Sequence, residues 1–92
     1  MSHSVYILQS ESTGRHYCGY SNDVERRLRQ HNDPDYRGSK TTKRFVGPWK
    51  LVNVFECESE GEAVRLERKI KKRGIFRYLK DIQLVESRQR RD

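Results

Sequence analysis

The longest unbroken apolar run in this chain of 92 residues is only four residues long, at positions 5–8. A membrane-spanning helix needs about 20 consecutive apolar residues, and the hydrophobic region of a secretion signal needs about 7–15. The short run argues against a membrane-spanning helix and against a secretion signal. A thin hydrophobic core is expected, because a domain of this size buries only about 60–65% of its unfolded surface. We expect one domain over residues 1–85, followed by a frayed basic tail at 86–92.

The two cysteines, Cys18 and Cys57, are far apart in the sequence, and neither belongs to a CxxC pair. They therefore indicate neither a disulfide scaffold nor a structural zinc site. A reducing compartment fits this pattern best, so we expect a cytoplasmic protein.

Basic charge is concentrated in one part of the chain. The formal net charge is +7, and residues 65–80 hold eight Lys and Arg but one acid, so the remainder sums to zero. Such a local positive field attracts polyanions and is typical of nucleic-acid binding. Two other interpretations of the same charge are a solvated helix face and binding to a membrane surface. The candidate nucleic-acid contacts combine this segment with a basic loop: Lys40, Lys43, Arg44, Arg65, Arg68, Lys69, Lys71, Lys72 and Arg73.

Apolar and polar patterns predict a β-hairpin near the N-terminus. Residues 5–8 and 16–20 are rich in strand formers, and the polar segment between them ends in Gly14, as expected for a turn. A helix is predicted over residues 24–31, because residues 21–23 offer N-cap side chains before it.

The second half of the chain predicts a strand and a helix after a long loop. Residues 33–48 show little periodicity, whereas 49–55 alternate as in a strand buried on at least one face. A helix is expected over 60–73, ending at Gly74, and a short helix or strand over 76–85 returns to the core. Strands and helices in this order predict an α+β fold.

A helical wheel of the 60–73 segment places one acid within the apolar stripe. With about 100° per residue, Ala63, Leu66 and Ile70 define the buried face, and Glu67 lies about 40° from Ala63. Buried ionisable groups are costly unless they are paired, hydrogen-bonded or bound to a metal. Glu67 is therefore a candidate site residue.

The 24–31 helix shows a similar irregularity. Val24 and Leu28 define its apolar stripe, His31 lies within that stripe, and Arg27 flanks it one turn earlier. Three interpretations remain open: a functional cleft, an interior salt bridge from Glu67 to Arg27 or His31, and a histidine that is simply satisfied within the core.

Three tyrosines and a glycine lie on the predicted hairpin. Taken singly, Tyr6, Tyr17 and Tyr20 are each expected to pack rather than to react. A phenol acts as a general base only if its pKa, normally about 10, is lowered or another base takes its proton. Gly19 is expected to leave room for a ligand or another backbone.

Together these residues resemble the GIY-YIG nuclease domain over nearly the whole chain. The resemblance comprises residues 5–7 (Val-Tyr-Ile), residues 17–19 (Tyr-Cys-Gly) about eleven positions later, Arg27 and His31 on the next helix, and Glu67 on a later helix. The short length resembles the small single-domain bacterial branch in particular. The first tripeptide also resembles that of the nuclease subunit of eukaryotic structure-specific endonucleases.

The resemblance implies a three-stranded antiparallel sheet in the order 1-2-3, flanked by helices, and DNA phosphodiester cleavage with one Mg²⁺ or Mn²⁺ ion. Tyr17 would activate the attacking water directly or through a relay, and Tyr6 would orient it. Arg27 would neutralise the phosphate, and His31 would assist by hydrogen bonding or proton transfer. Glu67 would hold the ion, weakly without substrate, because one carboxylate is a poor ligand set for Mg²⁺.

Three positions depart from the family pattern. Ser4 replaces the first glycine, Cys18 replaces isoleucine, and Tyr20 stands where some repair relatives have lysine. The expected function is structure-selective DNA cleavage in repair or recombination, with low sequence specificity. The alternatives are a nucleic-acid-binding module with little cleavage and an adaptor that docks an acidic protein partner.

Overall fold

The computed structural model of the chain describes residues 3–33 and 47–89. Lys40, Lys43 and Arg44, three of the candidate DNA contacts, lie outside the described residues. The described part contains, in order, β1 (His3–Ser10), β2 (His16–Ser21), α1 (Val24–Asn32), β3 (Trp49–Cys57), α2 (Glu60–Arg73) and α3 (Ile75–Gln89). The predicted α+β fold is confirmed.

The first strand is the centre of the sheet. It pairs antiparallel with both of the others, which gives the order β2-β1-β3. The expected order 1-2-3 is therefore wrong. The reason lies in residues 5–8, which are all at most 1% exposed. Four consecutive buried side chains point alternately to both faces, and a strand covered on both faces belongs inside a sheet.

One face of the sheet is covered by α1 and is called here the α1 face. Tyr6 and Leu8 of β1 are buried there together with Trp49 of β3. Val24 and Leu28 of α1 pack against them, as the apolar stripe of this helix predicts.

The opposite face, called here the α2 face, is covered by the two later helices. Val5 and Ile7 of β1 and Cys18 of β2 are buried there against Ala63 and Ile70 of α2. The sheet thus separates two small hydrophobic clusters, which agrees with the thin core expected from the sequence.

Local signals place the helix boundaries. Asp23 caps α1 and Ser59 caps α2, each accepting a hydrogen bond from the backbone N–H three residues later. Gly74 ends α2 with a φ of +96°, a conformation that side chains disfavour. The predicted helices are confirmed, whereas α3 is longer than expected and extends into the 86–92 segment predicted as a tail. Within the described residues, no helix has the length and apolar character needed to cross a bilayer.

The third strand is more exposed than its pattern predicts. Trp49 is buried and Phe55 is half-buried, but Leu51, Val52 and Val54 are 41%, 39% and 39% exposed. This exposure follows from the position of β3 at one edge of the sheet, where it is only partly covered.

Candidate active site

Three predicted site residues meet on the α1 face. The hydroxyl oxygen of Tyr6 lies 2.9 Å from Nε2 of His31, and these residues are 1% and 2% exposed. The ring of Tyr17 is centred 4.8 Å from that of His31 and 6.2 Å from that of Tyr6. Tyr17 is the half-buried member of this tyrosine–histidine cluster, so it is the member that solvent or substrate can approach.

Strand register and helix phase bring the three rings together. The pairing of β1 with β2 sets Tyr6 opposite Gly19 and Leu8 opposite Tyr17, so both phenols point to the α1 face. His31 lies in the last turn of α1, on the apolar side that faces the sheet. His31 is thus buried, and its imidazole is hydrogen-bonded to the phenol of Tyr6. The helical wheel predicts the burial of His31 but not this partner.

Gly19 contributes to the cluster through its missing side chain. A Cβ at this position would lie 2.8 Å from the Tyr6 hydroxyl and 3.1 Å from a ring carbon of Tyr17. The prediction that Gly19 leaves room for a ligand or backbone is therefore wrong in detail. The room is filled by the phenol of Tyr6.

Arg27 brings a positive charge to the same cluster. Its guanidinium donates to the side-chain oxygen of Gln30 at 2.6 Å and lies close enough to Tyr6 to act on the pKa of that hydroxyl. Burial raises the pKa of Tyr6 to about 12, the adjacent Tyr17 adds to the rise, and Arg27 opposes it. Tyr6 is therefore a neutral phenol at physiological pH, suited to hydrogen bonding rather than to acting as a base.

Glu67 lies on α2 with its side chain only 17% exposed, as its place in the apolar stripe predicts. Its Oε1 accepts a hydrogen bond from Nζ of Lys71 at 2.6 Å. The alternative prediction, an interior salt bridge from Glu67 to Arg27 or His31, is wrong: the observed partner is the lysine one turn later on the same helix.

The edge of β2 connects Glu67 with the tyrosine–histidine cluster. Burial raises the pKa of the Cys18 thiol to about 12, and the nearby carboxylate of Glu67 contributes to this rise. Burial lowers the pKa of Lys71, but its hydrogen bond to Glu67 and the proximity of Tyr17 and Cys18 outweigh burial and leave it raised. Because β2 is an edge strand, groups from both faces can approach each other around it, and Lys71, which is bonded to Glu67, also feels the charge of Tyr17.

The acid at this edge is compatible with a weakly held divalent ion. Within residues 3–33 and 47–89, no group of three or more His, Cys, Asp or Glu side chains could hold a metal. A single carboxylate such as Glu67 suits Mg²⁺ that keeps most of its waters and also binds substrate phosphate. Lys71 contacts one oxygen of this carboxylate, so an ion would compete with the ammonium group or use the other oxygen.

The sequence placed Lys71 among the candidate DNA contacts and missed its pairing with Glu67. The spacing of the two residues could have predicted this pair, since an acid followed four residues later by a lysine is a common ion pair in helices. Within the described residues, two basic residues of the charged segment have acidic partners: Lys71, and Arg73, which makes two hydrogen bonds to Asp81 at 2.9 and 3.2 Å.

The other candidate contacts on α2 point elsewhere. Ala63 and Ile70 face the sheet, and the side chains on the opposite side of the helix are exposed and basic. That outer basic face, as it is called below, consists of Arg65, Arg68, Lys69 and Lys72. It is directed away from the sheet, whereas Lys71 borders the site.

The antiparallel sheet between helices is the fold that the family resemblance implies. Two phenols, a guanidinium and an imidazole lie on its α1 face, and the acid Glu67 lies on α2. The GIY-YIG catalytic domain matches residues 2–76. The chain therefore belongs to the GIY-YIG family, and the part that matches is a catalytic domain.

Individual relatives agree with this assignment. A UPF0213 protein of Halalkalibacterium halodurans is 41% identical over 71 residues, which cover 77% of this chain and 71% of the relative. The solution NMR structure of a UPF0213 protein from Bacillus halodurans matches 94% of this chain and 84% of its own, with 38% identity and a TM-score of 0.50.

A second group of relatives is named as nucleases. The structure-specific endonuclease subunit slx1 of Schizosaccharomyces pombe is 34% identical over 89 residues, which cover 92% of this chain. The chain spans only 32% of that subunit. Similarity to this group therefore concerns about a third of the eukaryotic protein and not its whole length.

Proposed function

We propose that this chain is a divalent-metal-dependent endonuclease that cuts branched or otherwise structured DNA, with Tyr17 activating the attacking water. The observation that carries the proposal is the hydrogen-bonded pair of Tyr6 and His31, with the half-exposed Tyr17 ring 4.8 Å from the imidazole. Tyr6 is kept neutral by burial, so Tyr17 is the phenol available to a substrate.

In the proposed reaction, the hydroxyl of Tyr17 accepts a proton from water while its own proton passes through Tyr6 to Nε2 of His31. This relay requires the imidazole tautomer with its proton on Nδ1, so that Nε2 accepts from the Tyr6 hydroxyl. The water oxygen then bonds to phosphorus as the bond to the leaving oxygen breaks, and solvent protonates the leaving group. Positioned proton transfer of this kind contributes about 10²–10⁴-fold to a rate.

Two charged groups complete the proposed site. Arg27 can donate two parallel hydrogen bonds to the phosphate oxygens, where negative charge accumulates in the transition state. Glu67 would hold the divalent ion, which supplies further charge stabilisation when bound. Binding of substrate phosphate near Lys71 would also draw the ammonium group away from the carboxylate.

A cleavage assay tests the proposal. Branched, nicked and plain duplex DNA are incubated with Mg²⁺ or Mn²⁺ and with the wild type, Tyr17→Phe or Glu67→Ala. We expect cleavage of branched DNA by the wild type and a loss of about 100-fold or more in each variant. Tyr20→Phe is the matched control, since it removes a hydroxyl from an exposed phenol on the same strand, and it should cut like the wild type.

The result that would end the proposal is equal cleavage by wild type, Tyr17→Phe and Glu67→Ala, or no cleavage of any substrate at any metal concentration. In the latter case the second candidate applies, a nucleic-acid-binding module with little cleavage. The pairing of Glu67 with Lys71 favours that alternative, because it neutralises the acid that the reaction would need.

Relatives named as subunits of structure-specific endonucleases support action on structured DNA, from which we infer a role in DNA repair or recombination, and they support an additional protein partner. We propose both for this chain. Cleavage of branched DNA in preference to plain duplex by the wild-type protein would support the first. Co-purification of a partner that survives nuclease treatment would support the second.

A further inference from the structure

An aromatic ring lies exposed at the start of α3. Phe76 is 60% exposed, although Tyr78 and Leu79, its neighbours on the same helix, pack against the core. The ring of His16 is centred 6.3 Å from that of Phe76, and Nζ of Lys80 lies 5.1 Å from the Phe76 centroid. Folding therefore leaves most of this ring in solvent, beside a second ring and a cation.

The exposed ring lies next to the candidate active site. His16 and Tyr17 are consecutive on β2, an edge strand, so their side chains point to opposite faces about 3.3 Å apart along the strand. Tyr17 joins the tyrosine–histidine cluster on the α1 face, and His16 contacts Phe76 on the other side. A strand of nucleic acid crossing the β2 edge at Tyr17 would therefore meet Phe76 next.

The cations and the aromatic ring beside Phe76 favour a ligand that is a polyanion and carries a flat apolar group. Arg77 and Lys80 are exposed beside it, and the basic residues of α2 precede it in the chain. Burial lowers the pKa of His16, so its imidazole is neutral and can share in stacking. Aromatic rings beside cations bind single-stranded nucleic acids by stacking bases while the cations contact phosphates.

We propose that Phe76, with His16 and Lys80, forms a subsite that stacks an unpaired nucleobase beside the phosphate to be cut. The inference rests on the proposed action on DNA, and it adds that the protein recognises an unpaired base of the substrate. Bases within a duplex hide their faces in the stack, whereas the bases of a flap, gap or overhang present them. The side chain of Lys80 is exposed and can move from the ring to a phosphate when a base enters.

Binding without turnover tests this subsite separately from cleavage. Fluorescence anisotropy in EDTA compares a blunt duplex with the same duplex carrying a short single-stranded overhang, for wild type, Phe76→Ala and Leu84→Ala. Leu84 is the matched control, an apolar residue 62% exposed on the same helix. We expect the wild type and Leu84→Ala to prefer the overhang, and Phe76→Ala to lose about fivefold in affinity for it, with blunt duplex unchanged.

A Phe76→Trp variant gives a direct signal if Phe76→Ala fails to fold. The chain contains one other tryptophan, Trp49, which is buried and serves as background in the wild type. Stacking of a base should quench the new tryptophan on addition of the overhang substrate and leave it unquenched with blunt duplex.

Three outcomes would overturn the subsite: equal loss of affinity for both substrates in Phe76→Ala, no loss for either, or quenching by blunt duplex alone. A ring that binds a protein instead of a base would give the second outcome. Because EDTA prevents metal-dependent cleavage, failure here is distinguishable from failure of the endonuclease proposal, which only the cleavage assay decides.

Discussion

Gly19 controls the position of the Tyr6 hydroxyl, although it has no side chain. The phenol occupies the space that a Cβ would need, and a hydrogen bond to His31 holds the hydroxyl there. A buried, hydrogen-bonded ring cannot move aside at low cost, in contrast to the free end of a surface side chain. The glycine of the second tripeptide is thus a structural requirement of the site.

We predict that Gly19→Ala lowers the free energy of unfolding by about 1–3 kcal/mol, as overpacking does in a core, and reduces DNA cleavage by displacing Tyr6. Urea denaturation and the cleavage assay measure the two effects. Gly61→Ala is the control, because its Cβ would have 3.5 Å of clearance in the first turn of α2, where alanine favours the helix. An unchanged Gly19→Ala protein would show that Tyr6 relaxes freely.

Two of the raised pKa values, those of Tyr6 and Cys18, predict a loss of stability in alkali. Tyr6 and Cys18 both have a folded pKa of about 12, above their ordinary values of 10.0 and 9.0. Well below pH 9 both groups keep their protons in the folded and the unfolded state, so their contribution to the free energy of unfolding is fully present. Between pH 9 and 12 the unfolded chain releases these protons first, which lowers the free energy of unfolding.

We expect the pH dependence of urea unfolding between pH 8 and 12 to be smaller in Tyr6→Phe and in Cys18→Ala than in the wild type. The comparison uses the change with pH and not the absolute stability, because both variants also lose packing or hydrogen bonds. Alkaline losses in both variants as large as in the wild type would contradict the assignment.

At the scale of elements, the side chain of Asn32 makes two hydrogen bonds from α1 to β3. Nδ2 of Asn32 donates to the carbonyl oxygen of Trp49 at 2.9 Å, and the backbone N–H of Trp49 donates to Oδ1 of Asn32 at 2.7 Å. These bonds link the end of the helix that carries Arg27 and His31 to an edge strand of the sheet. The ring of Trp49 is in turn centred 6.5 Å from that of Tyr17.

We predict that Asn32→Ala costs about 1–3 kcal/mol of unfolding free energy, because it removes two hydrogen bonds and leaves backbone groups of Trp49 without these partners. Asn22→Ala, at an exposed position before the same helix, is the control and should cost less. Thermal denaturation of both variants measures the difference. Equal losses would mean that the Asn32 bonds contribute no more than a surface asparagine.

At the scale of the whole molecule, the outer basic face and the candidate active site lie on different surfaces. The outer basic face of α2 is directed away from the sheet. In contrast, Lys71 lies near Tyr17 at the β2 edge, and Lys80 lies over the Phe76 ring, which is next to His16 of the same strand. The candidate contacts of the outer basic face stay a prediction. DNA bound for cleavage must reach the edge, so we expect basic residues near the edge to contribute more.

The salt dependence of DNA affinity distinguishes binding at the β2 edge from binding at the outer basic face. Each phosphate contact contributes a slope of about −0.9 to log K against log salt for duplex DNA. We predict that Arg77→Gln with Lys80→Gln makes the slope shallower by up to about 1.8, and that Arg65→Gln with Lys69→Gln, equal in charge, has a smaller effect. A larger effect of the second pair would make the outer basic face the principal DNA-binding surface.

Much of the fold is encoded locally and could be predicted. The apolar run at 5–8, the caps at Asp23 and Ser59 and the glycine at position 74 define strands and helices through interactions within a few residues of each other. Glu67 and His31 stood out because a polar residue in an apolar helical stripe is visible from periodicity alone. The family resemblance then supplied their expected roles.

Tertiary structure alone decided how those pieces meet. The central position of β1, the filling of the Gly19 space by Tyr6, the two bonds from Asn32 to Trp49 and the approach of His16 to Phe76 each join residues that are distant in sequence. Periodicity shows which side of an element is buried, but not which partner covers it. That choice depends on the packing of all elements at once, because each contact becomes possible only when the others have brought its partners into range.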